Sequence, residues 1–406
     1  MSTTLEPEPH GPIPHYPGVF TTLHDVLHEG RSLALADMPP GASTLLSAGA
    51  NGRWYFDWVD REYGRVAQHI GVEAYLPKPD DLPSNVTWIE ADLAGPDGVA
   101  TVASDSVDLV FSGQNIEHLW PEQMVAFLIE TNRVLRHGGC VVIDSPNRNL
   151  TKDYRWSMSE HTVELSPGEA TDLLGLAGFA AESMRGVWLC REGGALLPLE
   201  PTVEGDGPAR TLRRLVLARN RPEDSFIWWA EARKVGRPDR DALIRRIDEI
   251  FRGAWDERVN RIRPHDGDPF ELADGRPGAR LPRGREGYVA LGPSLPLPPG
   301  TYRIGMDVTW SGLAAPGETI GRLEVVADSD LLSVVDLRSQ ESQGSSHVSL
   351  DLTLEELRFA VHARLFSTGR ADVVTPLELH ISPAPWLRSN TPASSPDGEP
   401  WAAAEP

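Results

Sequence analysis

Apolar positions in the first half of the chain switch between two periods. Residues 19–38 (VFTTLHDVLHEGRSLALADM) space them as one helix face and end at Pro39-Pro40-Gly41, which predicts a helix with a hard stop. Short apolar runs follow: Thr44–Ala48, Val66–Val72, Val86–Ile89, Val107–Phe111 and Cys140–Ile143. The first closes on glycine, the second on Glu73, the third on Glu90-Ala91-Asp92 and the fourth on Ser112-Gly113. Pro121–Leu135 has helical spacing, with Pro121 in its first turn and Gly138-Gly139 breaking it. Pro167–Gly178 predicts a shorter helix with Ser166 as N-cap. Phe179–Leu189 and Ser225–Ala232 add two strands, for seven in all, separated by a Gly/Pro-bearing excursion at 192–208 and a basic helix at 209–219. Strands alternating with helices predict a parallel, doubly wound sheet.

The pattern changes after residue 237. Residues 239–261 form an amphipathic, charge-laced helix expected to be a connector, and 264–287 turn to Gly, Pro, Arg and Asp, as a linker does. Residues 288–383 then carry seven short β-patterned runs without helical period, beginning with YVALG and TYRIGMDVTW, which predicts an antiparallel sandwich. The expected organisation is a tail over 1–18, an α/β domain over 19–237, a connector and linker over 238–287, a β-sandwich over 288–384 and a second tail over 385–406.

Composition narrows the function classes. A chain of 406 residues suggests two domains, and 40% hydrophobic residues suffice for packed cores. The net charge of -21 repels phosphate backbones, so no nucleic-acid partner is expected. The two cysteines, Cys140 and Cys190, belong to no CxxC pair or Cys/His cluster and read as buried fillers. No leader-like stretch and no membrane-length apolar run is visible, so a soluble, cytoplasmic protein without a membrane partner is expected. Self-association into a homo-oligomer is compatible with this reading.

Chemistry concentrates at the ends of the early strands. Ser47-Ala48-Gly49-Ala50-Asn51-Gly52 is a small-residue turn that lets backbone approach a ligand. Glu73 closes the second strand, where nucleotide-type sites place an acid for ribose hydroxyls; a solvated strand-end charge is the alternative. These pieces, with GVEAY at 71–75, EADL at 90–93, VDLVFSGQNIEHL at 107–119 and RVLRHGGCVVIDSP at 133–146, resemble the ordered motifs of class I S-adenosylmethionine-dependent methyltransferases of the small-molecule group. The resemblance spans about residues 40–235. It implies a Rossmann-like seven-stranded sheet with a reversed last strand and a methyl-donor site at the carboxyl ends of the first, second and fourth strands. It also implies S-adenosylmethionine as cofactor and S-adenosylhomocysteine as product.

Carried over by position, Gly49, Ala50 and Asn51 wrap the methionine portion and Glu73 accepts from the ribose hydroxyls. Asp92 holds the adenine amino group, with the Leu93 amide donating, although Asp92 also suits a turn-forming Asx. Ser112, Gly113 and Gln114 pass under the sulfonium. Ser47 stands in the cofactor-binding set where the family has an acid, and Asn51 and Arg53 stand where it prefers glycine. Asn tolerates a left-handed backbone, whereas Arg53 would not adopt one cheaply.

Methyl transfer needs positioning and, for a hydroxyl acceptor, a base. His118, His161 and Asp144 are the candidates, against a helix-packing histidine, an exposed loop histidine and a turn cap respectively. No metal motif is evident; an Asp-plus-His site could bind magnesium, but no spacing requires it. The 12 tryptophans include Trp54, Trp58, Trp120 and Trp156 near the expected active face, where they suit sugar or flat rings, or core packing. Tyr288–Thr309 loosely resembles the opening of carbohydrate-binding-like sandwiches, with Tyr302 and Trp310 as sugar platforms or core. The leading expectation is an O-methyltransferase acting on a sugar hydroxyl in a glycan or glycosylated metabolite, with a small-molecule or glycan acceptor as its partner. A non-catalytic binding protein on a degenerate scaffold is an alternative. A nicotinamide-dependent oxidoreductase is less well served, because Gly49–Trp54 lacks a G-x-G-x-x-G turn.

Overall fold

The computed structural model describes residues 22–201, 207–313, 315 and 317–388. They divide into two compact units: one runs to Trp156 and resumes over His161–Glu257, the other comprises Ser157–Glu160 and the chain from Arg258 onward. The expected tail at 1–18 and most of the one at 385–406 lie outside the described residues.

The first unit opens with α1 (Leu23–Ala36). Its N-cap Thr22 accepts from the Asp25 amide at 3.2 Å, while the Asp25 carboxylate accepts from the Thr22 amide at 3.0 Å. There follow β1 (Thr44–Ala48), α2 (Gly52–Glu62), β2 (Gln68–Glu73), β3 (Val86–Glu90), β4 (Val107–Gly113), α3 (Pro121–Val134) and β5 (Leu135–Pro146). Then come α4 (Arg148–Asp153), α5 (Pro167–Leu176), β6 (Phe179–Leu189), the hairpin β7 (Arg191–Glu192) and β8 (Ala195–Leu196), α6 (Pro208–Ala218), β9 (Ser225–Lys234) and α7 (Arg240–Val259). Ser166 caps α5 as expected.

The sheet has seven strands in the order β3-β2-β1-β4-β5-β9-β6. β1 to β5 pair in parallel, and β9 runs antiparallel to both β5 and β6. The order reverses between β1 and β4, so the crevice for a ligand opens at the carboxyl ends of those strands. One face is sealed by Phe56, Trp58, Phe111 and Trp229, each at most 2% exposed. Side chains of this size stabilise by about 1.5–3 kcal/mol apiece on burial, enough to hold the strand ends in fixed register. Both cysteines are free and buried. Among the described residues no helix is long and apolar enough to cross a membrane.

Two boundary expectations need correction. The helix expected as a connector, α7, belongs to the first unit through Glu257: Arg246 pairs with Asp172 at 3.0 Å, and Trp255 lies 6.3 Å from Trp120 between ring centres. Residues 264–287 are not a linker. They carry β10 (Arg263–Pro264, at its edge), β11 (Asp268–Glu271) and β12 (Pro277–Leu281) of the second unit. The turn between β11 and β12 has Gly275 at φ +82°, a conformation glycine adopts at no steric cost.

The second unit continues with β13 (Gly287–Leu297), β14 (Gly300–Ser311), β15 (Thr319–Ala327), β16 (Asp330–Arg338), β17 (Gly344–Leu354), β18 (Arg358–Ser367), β19 (Asp372–Pro376) and β20 (His380–Ser382). They form two antiparallel sheets, β10-β13-β18-β15-β16 and β11-β12-β19-β14-β17, with β20 on β14. Tyr302, Ile304, Met306, Val308 and Trp310 alternate inward along β14. Tyr302 and Trp310 are therefore core residues, not sugar platforms: the Tyr302 hydroxyl donates to the Pro298 carbonyl at 2.7 Å, and Trp310 Nε1 donates to the Glu341 carbonyl at 3.3 Å.

Candidate active site

The turn after β1 is built on two glycines. Gly49 and Gly52 have φ of +77° and +75°, while Asn51 sits at -77° and Arg53 lies within α2. The strain expected at Arg53 does not arise; its guanidinium instead pairs with Asp57 at 3.0 Å and Asp81 at 3.3 Å. Gly49 and Ala50 donate their amides to the Val72 carbonyl at 3.0 and 3.1 Å, fixing the turn to the end of β2. A Cβ at Gly49 would press on the Asn115 side chain at 3.3 Å, so this turn accepts no larger residue without crowding. Asn115 in turn donates to Ser112 Oγ at 3.3 Å and ties the glycine turn to the end of β4.

The acids take different settings. Glu73 is buried at the end of β2, and its Oε1 accepts from the Tyr75 and Leu76 amides at 2.8 and 3.3 Å. Those bonds fold the following loop around the carboxylate and fix its direction. Asp92 is exposed; one oxygen accepts from the Ala94 amide at 2.9 Å, as an Asx turn does, and the other from Gln123 Nε2 at 2.9 Å. Leu93 is buried beside it. Ser47 is fully buried, with Oγ 2.8 Å from His69 Nε2, and burial pushes the His69 pKa down to about 3.

The end of β4 meets β5 and α1. Gln114, at φ +54°, donates its amide to the Asp144 carbonyl at 2.9 Å and its Nε2 to Asp144 Oδ2 at 3.0 Å. Arg31 of α1 closes on the same carboxylate with Nε at 2.6 Å and Nη2 at 3.2 Å. A Cβ at Gly113 would collide with Arg31, with Asp144 Oδ1 at 2.7 Å and with the Phe111 ring. Asp144 is thus the fully buried anchor of a two-sided clamp rather than an unengaged carboxylate. On the same helix, His28 lies 5.3 Å from the Trp58 ring, and burial, helped by the Arg31 charge, holds its pKa near 4. No sequence signal linked α1 to the fourth and fifth strands.

Just past β4, the 3-10 turn Ile116–His118 brings three titratable groups together. The His118 and His161 rings stand edge to face with centres 4.8 Å apart. Glu117, absent from the sequence-predicted set, is fully buried, and His161 Nε2 lies 4.0 Å from its Oε1. Neither Glu117 oxygen has a hydrogen-bond partner among the described residues; the Ser145 hydroxyl is near without reaching bonding geometry. Burial, with the charges of Asp144 and Glu164 acting the same way, pushes the Glu117 pKa up to about 8. His161 Nδ1 donates to Glu164 Oε1 at 3.1 Å, which turns Nε2 toward Glu117. Trp156 packs its edge against His161 at 5.5 Å. His161 is buried, not an exposed loop histidine. The Glu117-His118 pair was visible in the sequence only as part of a motif; its burial is a tertiary fact.

Residues 65–143 match the family model for a methyltransferase domain. The matched segment runs from just before β2 to within β5 and includes Glu73, Asp92, the end of β4 and the Glu117-His118 turn. A probable S-adenosylmethionine-dependent methyltransferase of Mycolicibacterium smegmatis is 38% identical over 119 residues, 29% of this chain and 41% of that protein. One from Mycobacterium tuberculosis is 34% identical over 132 residues, 32% of this chain and 42% of that protein. The chain therefore spans about two fifths of the length of these curated relatives. Among solved structures, an S-adenosylmethionine-dependent methyltransferase from Archaeoglobus fulgidus is 19% identical, covering 51% of this chain and 94% of that one at a TM-score of 0.36. A putative methyltransferase from Haloferax volcanii, in complex with the Trm112 activator, is 16% identical, covering 52% and 91% at a TM-score of 0.38. The cofactor of the methyltransferase family is S-adenosylmethionine. The site fits it: a glycine turn that a Cβ would crowd, a buried acid at the end of β2 and a glycine at the end of β4 stand at the carboxyl ends of neighbouring parallel strands.

Proposed function

We propose that the first unit transfers a methyl group from S-adenosylmethionine to a hydroxyl, that of a sugar in a glycan or glycosylated metabolite. The observation that carries this reading is the Glu117–His118–His161 cluster, with Glu117 and His161 buried and Glu117-His118 one turn beyond the strand end that would face the sulfonium. Gly49 to Asn51 would hold the methionine portion, Glu73 the ribose hydroxyls, and Asp92 with the Leu93 amide the adenine. Ser112, Gly113 and Gln114 would lie beneath the sulfonium, held there by Asn115 and Asp144. When bound, the cofactor supplies an electrophilic methyl group.

A hydroxyl is a weak nucleophile at neutral pH, so the acceptor must be positioned and must give up a proton as the methyl arrives. Half-buried His118 meets the acceptor, and His161, oriented by Glu164, takes or relays the proton. Asp144, clamped by Arg31 and Gln114, acts by positioning the strand ends. The sugar class rests on the half-buried rings of Trp54, Trp120 and Trp156, since Tyr302 and Trp310 of the second unit are core. Ser47, tied to His69 where the family has an acid, favours a second reading in which the donor binds without turnover.

The test is methyl transfer from labelled donor to a panel of oligosaccharides and glycosylated metabolites, with catechols and amines as controls. Label in a sugar methyl ether supports the proposal. Transfer confined to amines or catechols contradicts the sugar acceptor, and donor binding with no transfer to any acceptor favours the binding protein.

A further inference from the structure

We propose that Glu117, His118 and His161 bind one divalent transition-metal ion of the zinc type. One ligand atom from each residue lies within 4.8 Å of the other two. A tetrahedral ion with bonds of ~2.1 Å needs ligand atoms ~3.4 Å apart, so side-chain rotations of about 1 Å close the set. Two independent features point to an ion. A fully buried carboxylate with neither oxygen hydrogen-bonded among the described residues is costly unless something compensates it, and a cation does so directly. His161 also donates Nδ1–H to a second buried carboxylate, Glu164, at 3.1 Å, leaving Nε2 toward Glu117. That carboxylate–imidazole relation is the one that orients metal-bound histidines.

Two imidazoles and one carboxylate suit zinc or cobalt, whereas magnesium and calcium favour all-oxygen sets. Three protein ligands leave a position open, as in catalytic sites. Resting on the proposed methyl transfer, that position takes the acceptor oxygen. The ion lowers the oxygen's pKa and its proton leaves to solvent. The oxygen lone pair then forms the O–CH3 bond as the C–S bond breaks, its electron pair remaining on sulfur. With the ion bound, the two imidazoles are ligands and the ion replaces them in activating the hydroxyl.

The test uses the full chain, stripped with a chelator and titrated with Zn2+ and with Co2+, whose visible absorption reports coordination. Wild type is expected to bind one ion with a cobalt ligand-field band that Mg2+ does not displace. Glu164→Gln should weaken binding by about 10–100-fold, and Glu117→Gln and His161→Ala by at least as much. Circular dichroism and S-adenosylhomocysteine affinity check that each variant is folded. The proposal is overturned if wild type binds neither ion tighter than millimolar. It is also overturned if binding survives in folded Glu117→Gln and His161→Ala but disappears in His347→Ala/His380→Ala. S-adenosylhomocysteine binding without ion binding would sink the metal site and leave the donor site standing.

Discussion

Each unit holds one carboxylate and two histidines close enough to share an ion, yet the two groups live in opposite surroundings. Glu117 and His161 are buried with His118 half-buried, whereas Asp307, His347 and His380 are all exposed. In the exposed group His347 Nδ1 lies 2.8 Å from Asp307 Oδ1 and His380 Nε2 lies 3.9 Å from Oδ2. Gly305 leaves room for the His347 ring, whose Nε2 would meet a Cβ there at 2.5 Å. Water solvates these charges, so their mutual attraction is worth little. In the buried group desolvation has no such relief, and a second carboxylate fixes one ring. The difference teaches that proximity of reactive residue types carries little information; burial and outer support turn a cluster into a site.

The largest effect expected is on the clamp above the buried group. Arg31→Ala removes the ionic partner of the fully buried Asp144 carboxylate and should cost about 3–5 kcal/mol of stability, measured by urea unfolding. A cost near zero would mean that Asp144 is solvated and that the two surroundings differ less than they look. Next comes the cluster itself. His118→Ala or His161→Ala should lower single-turnover methyl transfer by about 10²-fold or more while leaving donor affinity nearly intact. Wild-type rates in both variants would remove the histidines from catalysis. The smallest effect belongs to the exposed group: His347→Ala should change stability by no more than about 0.5 kcal/mol and leave turnover unchanged. A loss of turnover there would erase the contrast.

The parallel strands of the first unit were legible because each apolar run ended on a small or acidic residue, and that ending also marked Gly49, Glu73 and Asp92. Seven strands and one reversed strand follow from those runs and the motif order. The second unit was read by period two, which found most strands but passed over β10 to β12. Their Gly- and Pro-rich composition looked like a linker, although Asp274-Gly275 is a hairpin signal. The site was legible at strand ends and opaque elsewhere. Arg31 reaches Asp144 across 113 positions, and no local pattern joins them. Glu117 sat beside His118 in plain view, but its isolation from hydrogen-bond partners depends on packing from β5 and the segment around His161. Ser47 and Arg53, read as departures that trouble the donor loop, are accommodated by His69 and by the two aspartates.

The central claim is that the crevice between β1, β2 and β4 binds the methyl donor. Calorimetric titration of the full chain with S-adenosylhomocysteine tests it most directly, with Glu73→Ala alongside. One molecule should bind per chain, and the variant, still folded, should lose about 1–3 kcal/mol of affinity, the cost of leaving buried hydroxyl partners unsatisfied. No binding to wild type, or equal binding to Glu73→Ala, would contradict it.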